Sequence, residues 1–167
     1  MSLAVSKGRI EYASNTAFSS HRDHNVRPAF AQPRLSDSEA KQKIQEVAAK
    51  VREAYQGNNA GAYAKQFSSD GALVGVTGKT FQGRQQIEQA VEDVMKRVGG
   101  IKSFEATADE AHALPDGTIW AIGRATIAGN QTTIKDHWAS INVPDGNELH
   151  IRMLSLGVDV PPPQPAR

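Results

Sequence analysis

The sequence predicts an α+β fold in which helices at the start of the globular region pack on a mostly antiparallel sheet. Two observations carry this prediction. Apolar residues recur at helical spacing early in this region, at Ile44, Val47, Val51 and Tyr55. The later part of the chain consists of strand-like runs separated by turns rich in glycine, asparagine and aspartate. A run of helices followed by a run of strands is typical of α+β proteins.

The 167-residue chain divides into three regions by composition. Residues 1–35 are rich in Ser, Asn, Ala and Arg and show no sustained period, so we expect an N-terminal arm that rests on the domain or on a partner subunit. Residues 36–158 form the predicted domain, and 159–167 form a proline-rich tail. His21 and His24 in the arm lack further placed ligands, so we do not predict a metal site there.

Composition excludes several classes of function. The net charge is +1 without a basic stripe, which argues against a nucleic-acid surface. The absence of cysteine excludes disulfides and thiolate metal sites. His112, His137 and His150 fall on different predicted strands and are expected to be structural or interfacial, so no metal and no cofactor are predicted.

No apolar run is long enough to cross a bilayer, so no membrane partner is predicted. The start of the chain also lacks the apolar segment of a secretory signal. We therefore expect a cytoplasmic protein, with the periplasm as the alternative.

The first two helices are predicted from their caps and apolar positions. Ser36 or Ser38 caps a first helix, which ends at Gly57. A short second helix follows, with Tyr63 and Phe67 four positions apart on one face.

One short strand and a third helix come next. The strand covers residues 72–76 and follows a Ser-Asp-Gly turn. The segment from Phe81 to Arg84 leads into the helix, whose apolar stripe consists of Ile87, Val91, Val94 and Val98.

Four longer strands complete the predicted fold. They cover residues 102–114, 118–128, 131–143 and 148–158, with ends uncertain by about two to four residues. The turns between them contain Pro-Asp-Gly, Gly-Asn and Pro-Asp-Gly-Asn. Turns this short predict that consecutive strands pair as antiparallel neighbours.

The strand at 131–143 contains an acid, a histidine and a tryptophan in succession. Alternate side chains of a strand share a face, so Ile134, Asp136 and Trp138 lie together and His137 lies opposite. If the first face is buried, a carboxyl group has been placed beside an indole.

Two interpretations of Asp136 are about equally supported by the residues. It is either a buried acid tied to a backbone amide, to Tyr55 or to Arg124, or a group that faces a ligand. Burial beside apolar neighbours raises the pKa of an acid. We therefore predict a carboxyl group that is protonated near neutral pH, unless a cation such as Arg124 reaches it.

The order of these elements resembles the nuclear-transport-factor-like superfamily, which includes ketosteroid isomerases and SnoaL-like polyketide cyclases. The resemblance covers residues 36–158. It rests on the helix–turn–helix opening at 54–67, on the strand and glycine-led helix at 67–87, and on the Lys-Asp-His-Trp stretch at 135–138.

This resemblance implies a cystatin-like cone, in which a strongly curved, mostly antiparallel sheet wraps around three helices and an apolar cavity. The cavity would bind a small apolar ligand. Six apolar or aromatic residues are expected to line it: Tyr55, Tyr63, Phe67, Trp120, Ile134 and Trp138. The convex face of the sheet commonly forms a dimer, so we expect a homodimer through Lys135, His137 and Ile141.

The resemblance also implies a catalytic role for Asp136, at the position where the isomerase holds a neutral acid that donates a hydrogen bond to an oxyanion. The isomerase's base would fall near Gly75, which cannot take up a proton. Its tyrosine would fall near Val51, which has no hydroxyl group. Tyr55, one turn later, is a substitute and not a match. Steroid isomerase activity is therefore not predicted.

The predicted function is a small-molecule binding domain, with isomerase, cyclase or lyase activity through Asp136 as its more specific form. The alternative is a non-catalytic association module with a filled cavity. The sequence leaves open whether the protein is an enzyme.

Overall fold

The computed structural model describes residues 35–158. The predicted proline-rich tail and almost all of the predicted arm, including His21 and His24, lie outside the described residues. Within residues 35–158 there are three helices: α1 (Asp37–Gln56), α2 (Ala60–Ala64) and α3 (Gly83–Arg97). Six strands follow or separate them in this described part: β1 (Phe67–Val74), β2 (Thr80–Gln82), β3 (Ile101–Ala113), β4 (Ile119–Gly129), β5 (Thr133–Asp145) and β6 (Glu148–Gly157). Among residues 35–158, no helix combines the length and apolarity needed to span a membrane.

Helix α1 begins with a capping box at Ser36, which decides between the two predicted caps. The Ser36 hydroxyl accepts a hydrogen bond from the Glu39 N–H at 3.3 Å, and the Glu39 carboxylate accepts one from the Ser36 N–H at 2.8 Å. Such a cap stabilises a helix by about 1 kcal/mol. The face that α1 buries comprises Ala40, Ile44, Val47, Val51, Ala54 and Tyr55.

The six strands form one sheet in the order β2-β1-β6-β5-β4-β3. Only the β1–β6 pair is parallel, so the sheet is mostly antiparallel as predicted. Register shifts interrupt the β3–β4 pair between Ala108 and Glu110 and the β5–β6 pair between Ile141 and Asn142. Irregularities of this kind bend and twist the strands that contain them.

The observed ends of β3 to β6 differ from the predicted ends by at most two residues. The earlier part of the sheet differs more. Strand β1 begins at Phe67, because residues 68–71 form a register shift against β6 where a turn was predicted. Strand β2 was missed, since three residues are too few to show a period. It exists because Phe81 pairs with Leu73 of β1.

The main core lies between the helices and one face of the sheet, called here the inner face. Its most deeply buried side chains include Phe67, Ile87, Val91 and Val98. A smaller core cluster joins Ala40 and Ile44 of α1 to three alanines and Ile119 of β3 and β4. Trp138 packs against both clusters and so connects them.

Candidate functional site

A cavity of about 70 Å³ lies between α1 and the inner face of strands β3 to β6. Most of its wall is aliphatic or aromatic. The side chains in the wall that carry a polar atom are Tyr55, Tyr63, Asp136, Trp138, Ser140 and Asn142.

The cavity is long and narrow. Its α1 wall runs from Ile44 to Tyr55, which corresponds to about 16 Å of helix. Its β5 wall runs from Asp136 to Asn142, which corresponds to about 20 Å of strand. Typical ligand pockets have volumes of about 300–1,000 Å³, so a cavity of about 70 Å³ over this length is a slot.

Strand β5 obeys the alternation that the sequence predicts. Asp136, Ser140 and Asn142 are buried, whereas Lys135 and His137 are exposed on the opposite face. Trp138 is half-buried in the cavity wall between the polar positions. The face opposite the cavity is called here the outer face.

Asp136 is the only carboxyl group in the cavity wall formed by the described residues. Asp136 is 6% exposed, and its Oδ1 atom has no hydrogen-bond partner within residues 35–158. Burial raises the pKa of this carboxyl group to about 6, and the charge of His137 partly opposes the shift. The predicted rise in pKa is confirmed.

The predicted protonation at neutral pH does not follow from this pKa. With a value of about 6, roughly a tenth of the Asp136 side chains carry the proton at pH 7. The interpretation in which Arg124 pairs with Asp136 is wrong. Arg124 lies on the outer face, where its Nε and Nη2 atoms donate to the Asp109 carboxylate at 3.1 and 2.8 Å.

Tyr55 and Tyr63 lie at the same end of the cavity as Asp136. Their rings meet edge to face with centroids 5.0 Å apart, and Tyr55 also stacks on Phe104 at 4.8 Å. Burial raises the pKa of both phenols. A hydrogen bond between the two side chains raises the pKa of Tyr55 further and lowers that of Tyr63, and the charge of Asp136 raises both. Both hydroxyl groups therefore stay protonated at ordinary pH, and one of the two protons is used in the bond between them.

Trp138 owes its position to a glycine on the neighbouring strand. Gly123 is the direct partner of Trp138 across the β4–β5 pair. A Cβ atom at position 123 would lie 2.4 Å from Cζ2 of the indole, so a larger residue there would displace the ring. The indole Nε1 is buried and has no hydrogen-bond partner within the described residues.

Trp120 does not face the cavity, and that prediction is wrong. It lies on the outer face, is 36% exposed and stacks on His112 with ring centroids 4.5 Å apart. The inward residues of β4 are the odd-numbered ones, including Ala121, Gly123 and Ala125. Gly123 makes room for the Trp138 ring, and the alternation of small residues along β4 was a signal in the sequence.

Two other predicted cavity residues belong to the surrounding core. Phe67 is fully buried and packs against Tyr63, with ring centroids 5.6 Å apart. Ile134 is half-buried and packs against the same cluster. Neither side chain forms part of the cavity wall. The structure thus brings together Tyr55, Tyr63, Asp136 and Trp138 of the predicted site.

Ser140 and Asn142 are cavity residues that the sequence analysis missed. Asn142 is 1% exposed, and its Nδ2 atom donates to the Ile119 carbonyl oxygen at 3.2 Å and to the Ser140 hydroxyl oxygen at 2.8 Å. The available signal was parity, since positions 140 and 142 share the face of Asp136. Two polar residues on a predicted buried face require partners.

No carboxyl or imidazole group other than Asp136 lies in the cavity wall formed by residues 35–158. No cluster of three or more metal-ligating side chains occurs among residues 35–158. Gly75, where the resemblance would place a base, lies outside the cavity wall.

Comparison with known proteins supports the fold. A domain of unknown function with a cystatin-like fold from Nostoc punctiforme aligns with a TM-score of 0.63, at 13% identity over 76% of this chain and 82% of that chain. An uncharacterised cystatin-like protein from Caulobacter vibrioides aligns with a TM-score of 0.61, at 22% identity over 74% of this chain and 92% of that chain.

An NTF-2-like protein of unknown function from Shewanella oneidensis aligns with a TM-score of 0.57, at 15% identity over 70% of this chain and 97% of that chain. The chain has an NTF2-like, cystatin-like fold. No protein-family model and no curated protein matches the sequence. The predicted fold is confirmed by its similarity to these solved structures.

Proposed function

We propose that the slot binds a flat, mostly apolar small molecule whose carbonyl-type oxygen accepts a hydrogen bond from protonated Asp136. The observation that carries this proposal is the buried Asp136 Oδ1, which has no partner within the described residues. A buried polar atom without a partner costs about 1–3 kcal/mol. A ligand oxygen would remove that cost.

Ligand binding and protonation of Asp136 support each other. A bound apolar molecule excludes water from the slot, which disfavours the carboxylate and raises its pKa above the ligand-free value of about 6. The protonated form then donates to the ligand oxygen. The hydrogen-bonded phenols of Tyr55 and Tyr63 add one further donor at the same end of the slot, and their rings favour a flat partner.

Proton transfer through Asp136 is the more specific form of this function. A carboxyl group with a pKa of about 6 can give up and take back a proton near neutral pH. Because the described wall holds no second carboxyl group, Asp136 would have to serve as both donor and acceptor. An isomerase, cyclase or lyase step on a carbonyl compound would meet that condition.

The pH dependence of binding tests the proposal. We expect 2-acetylnaphthalene, measured by isothermal titration calorimetry, to bind with constant affinity well below pH 6 and with affinity that falls by up to about tenfold per pH unit above it. Asp136→Asn retains a donor and should bind without pH dependence, whereas Asp136→Leu should abolish binding.

Asp109→Asn is the matched control, because that acid lies on the outer face in an ion pair with Arg124. It should leave the wild-type pH profile unchanged. Binding by the wild type that does not depend on pH, or equal binding by Asp136→Leu, would contradict the proposal.

A second candidate function, association through the outer face, is favoured by an apolar patch. Trp120 pairs with Ile141 across β4 and β5, and Ile141 pairs with Met153 across β5 and β6. All three side chains are exposed, as is the neighbouring Ile122. A patch that extends over three adjacent strands suits a second copy of the same face, related by a two-fold axis. We propose a homodimer through this patch.

Sedimentation velocity distinguishes a dimer from a monomer. We expect a dimer at micromolar concentration for the wild type and a monomer for Ile141→Lys. Val76→Lys is the control, since Val76 is equally apolar and 45% exposed but lies outside the patch. A monomeric wild type at high micromolar concentration would overturn the dimer and leave the slot proposal intact.

A further inference from the structure

The cavity has a second polar end, and it lies far from Asp136. Ser140 and Asn142 are four and six residues further along β5, and both side chains are in the cavity wall. At about 3.3 Å per residue, the two ends lie roughly 13–20 Å apart along the strand. The wall between them is formed by Trp138 on β5 and by aliphatic residues of α1 and β6.

Hydrogen bonds hold the two polar side chains at this end in place. Both amide hydrogens of Asn142 are used, one on the Ile119 carbonyl oxygen and one on the Ser140 hydroxyl oxygen. These bonds orient the pair but use neither the Oδ1 acceptor of Asn142 nor the hydroxyl proton of Ser140. Two oriented polar side chains therefore lie in the cavity wall at the far end of the slot.

A polar pair this deeply buried has a large effect on which ligands are accepted. A ligand with an apolar far end would cover the Asn142 oxygen and the Ser140 hydroxyl group without pairing them, which costs binding energy. A hydroxyl group at that end would satisfy both, because it can donate to the Asn142 oxygen and accept from the Ser140 hydroxyl group. The slot thus has hydrogen-bonding groups at each end and apolar walls between.

We propose that Ser140 and Asn142 form a second binding subsite, and that the ligand is an elongated, flat molecule with oxygen groups at both ends. This inference rests on the proposed function of the Asp136 end. The near end takes the carbonyl-type oxygen. The far end takes a hydroxyl group, which donates to Asn142 Oδ1 and accepts from the Ser140 hydroxyl.

The test compares 2-acetylnaphthalene with its 6-hydroxy derivative, which carries a second oxygen at the opposite end. Affinities of the full chain for both compounds are measured by calorimetry at pH 5.5, where Asp136 is mainly protonated. We expect the hydroxy compound to bind the wild type about 3- to 10-fold more tightly, the effect of one or two net hydrogen bonds. In Ser140→Ala this ratio should fall to about one or below.

Ala139→Ser is the matched control, because it places a hydroxyl group one residue away on the exposed outer face. It should keep the wild-type ratio. A hydroxy compound that binds the wild type more weakly than its parent, or a ratio that Ser140→Ala leaves unchanged, would overturn the second subsite.

The two proposals fail in distinguishable ways. If 2-acetylnaphthalene binds with the pH dependence expected from Asp136 but the added hydroxyl group brings no gain, only the second subsite is wrong. If neither compound binds the wild type at pH 5.5, the proposed function and the second subsite are both wrong.

Discussion

The two faces of β5 come from the same residues of the chain in alternation, yet they create opposite environments. Even-numbered positions 136–142 line the slot, and odd-numbered positions 135–141 lie on the exposed outer face. Two aspartates show the consequence. Burial raises the pKa of Asp136, whereas the Arg124 guanidinium lowers the pKa of Asp109 on the outer face. The chemistry of an acid here depends on which face of the sheet carries it.

The two tryptophans provide the largest expected contrast. Trp138 packs against both core clusters, so Trp138→Ala should reduce the free energy of unfolding by about 3 kcal/mol. Trp120 is 36% exposed and contacts His112, so Trp120→Ala should cost about 1 kcal/mol or less. Urea denaturation measures both. Equal losses would mean that the two faces do not differ in packing as described.

The two aspartates should shift stability in opposite directions with pH. The folded-state pKa of Asp136, about 6, exceeds the unfolded value, so its effect on stability becomes unfavourable as pH rises from about 4 to about 6 and is constant above that. Asp136→Asn removes the effect. At pH 8 it should be more stable than wild type by about 2–3 kcal/mol, and at pH 4 nearly equal to it.

Asp109→Asn should change the stability of the fold in the opposite direction. The lowered pKa of Asp109 means that its ion pair stabilises the fold above the unfolded pKa and loses that effect as pH falls through the folded pKa. This variant should therefore be less stable than wild type at pH 8 and approach it in acid. Urea denaturation of both variants at pH 8 and pH 4 measures these changes. If both substitutions changed stability in the same direction at pH 8, this prediction would be wrong.

Two glycines provide the smallest contrast. A Cβ atom at Gly123 would lie 2.4 Å from the Trp138 ring and 2.1 Å from the Thr107 carbonyl oxygen, so Gly123→Ala should cost about 1–3 kcal/mol. At Gly75 the nearest atoms would be at 3.6 Å, and Gly75→Ala should be neutral or slightly stabilising. Thermal denaturation of both variants checks this. A harmless Gly123→Ala would show that the indole lies elsewhere.

Much of the fold was accessible from local patterns. The α1 stripe, the Ser36 cap and the ends of β3 to β6 depend on residues near each other in sequence, and each was predicted to within two residues or better. Strand β2 was not, because its three residues acquire a strand conformation only through pairing with β1. The register shift in β1 has the same origin, since the Ser-Asp-Gly sequence that indicated a turn is held in the sheet by β6.

In the candidate site, too, some features follow from the local sequence and others only from tertiary contacts. Alternation along β5 is a property of one strand, so the sequence by itself determined that Asp136 and Trp138 share a face opposite His137. It could not determine which face of β4 meets them, because that depends on how neighbouring strands pair and on whether their side chains fit together. Trp120 points outward since Gly123, and not a large residue, lies opposite Trp138. Only the tertiary structure decided that Ser140 and Asn142 lie at the far end of the slot from Asp136, since α1 and four strands must meet to enclose it.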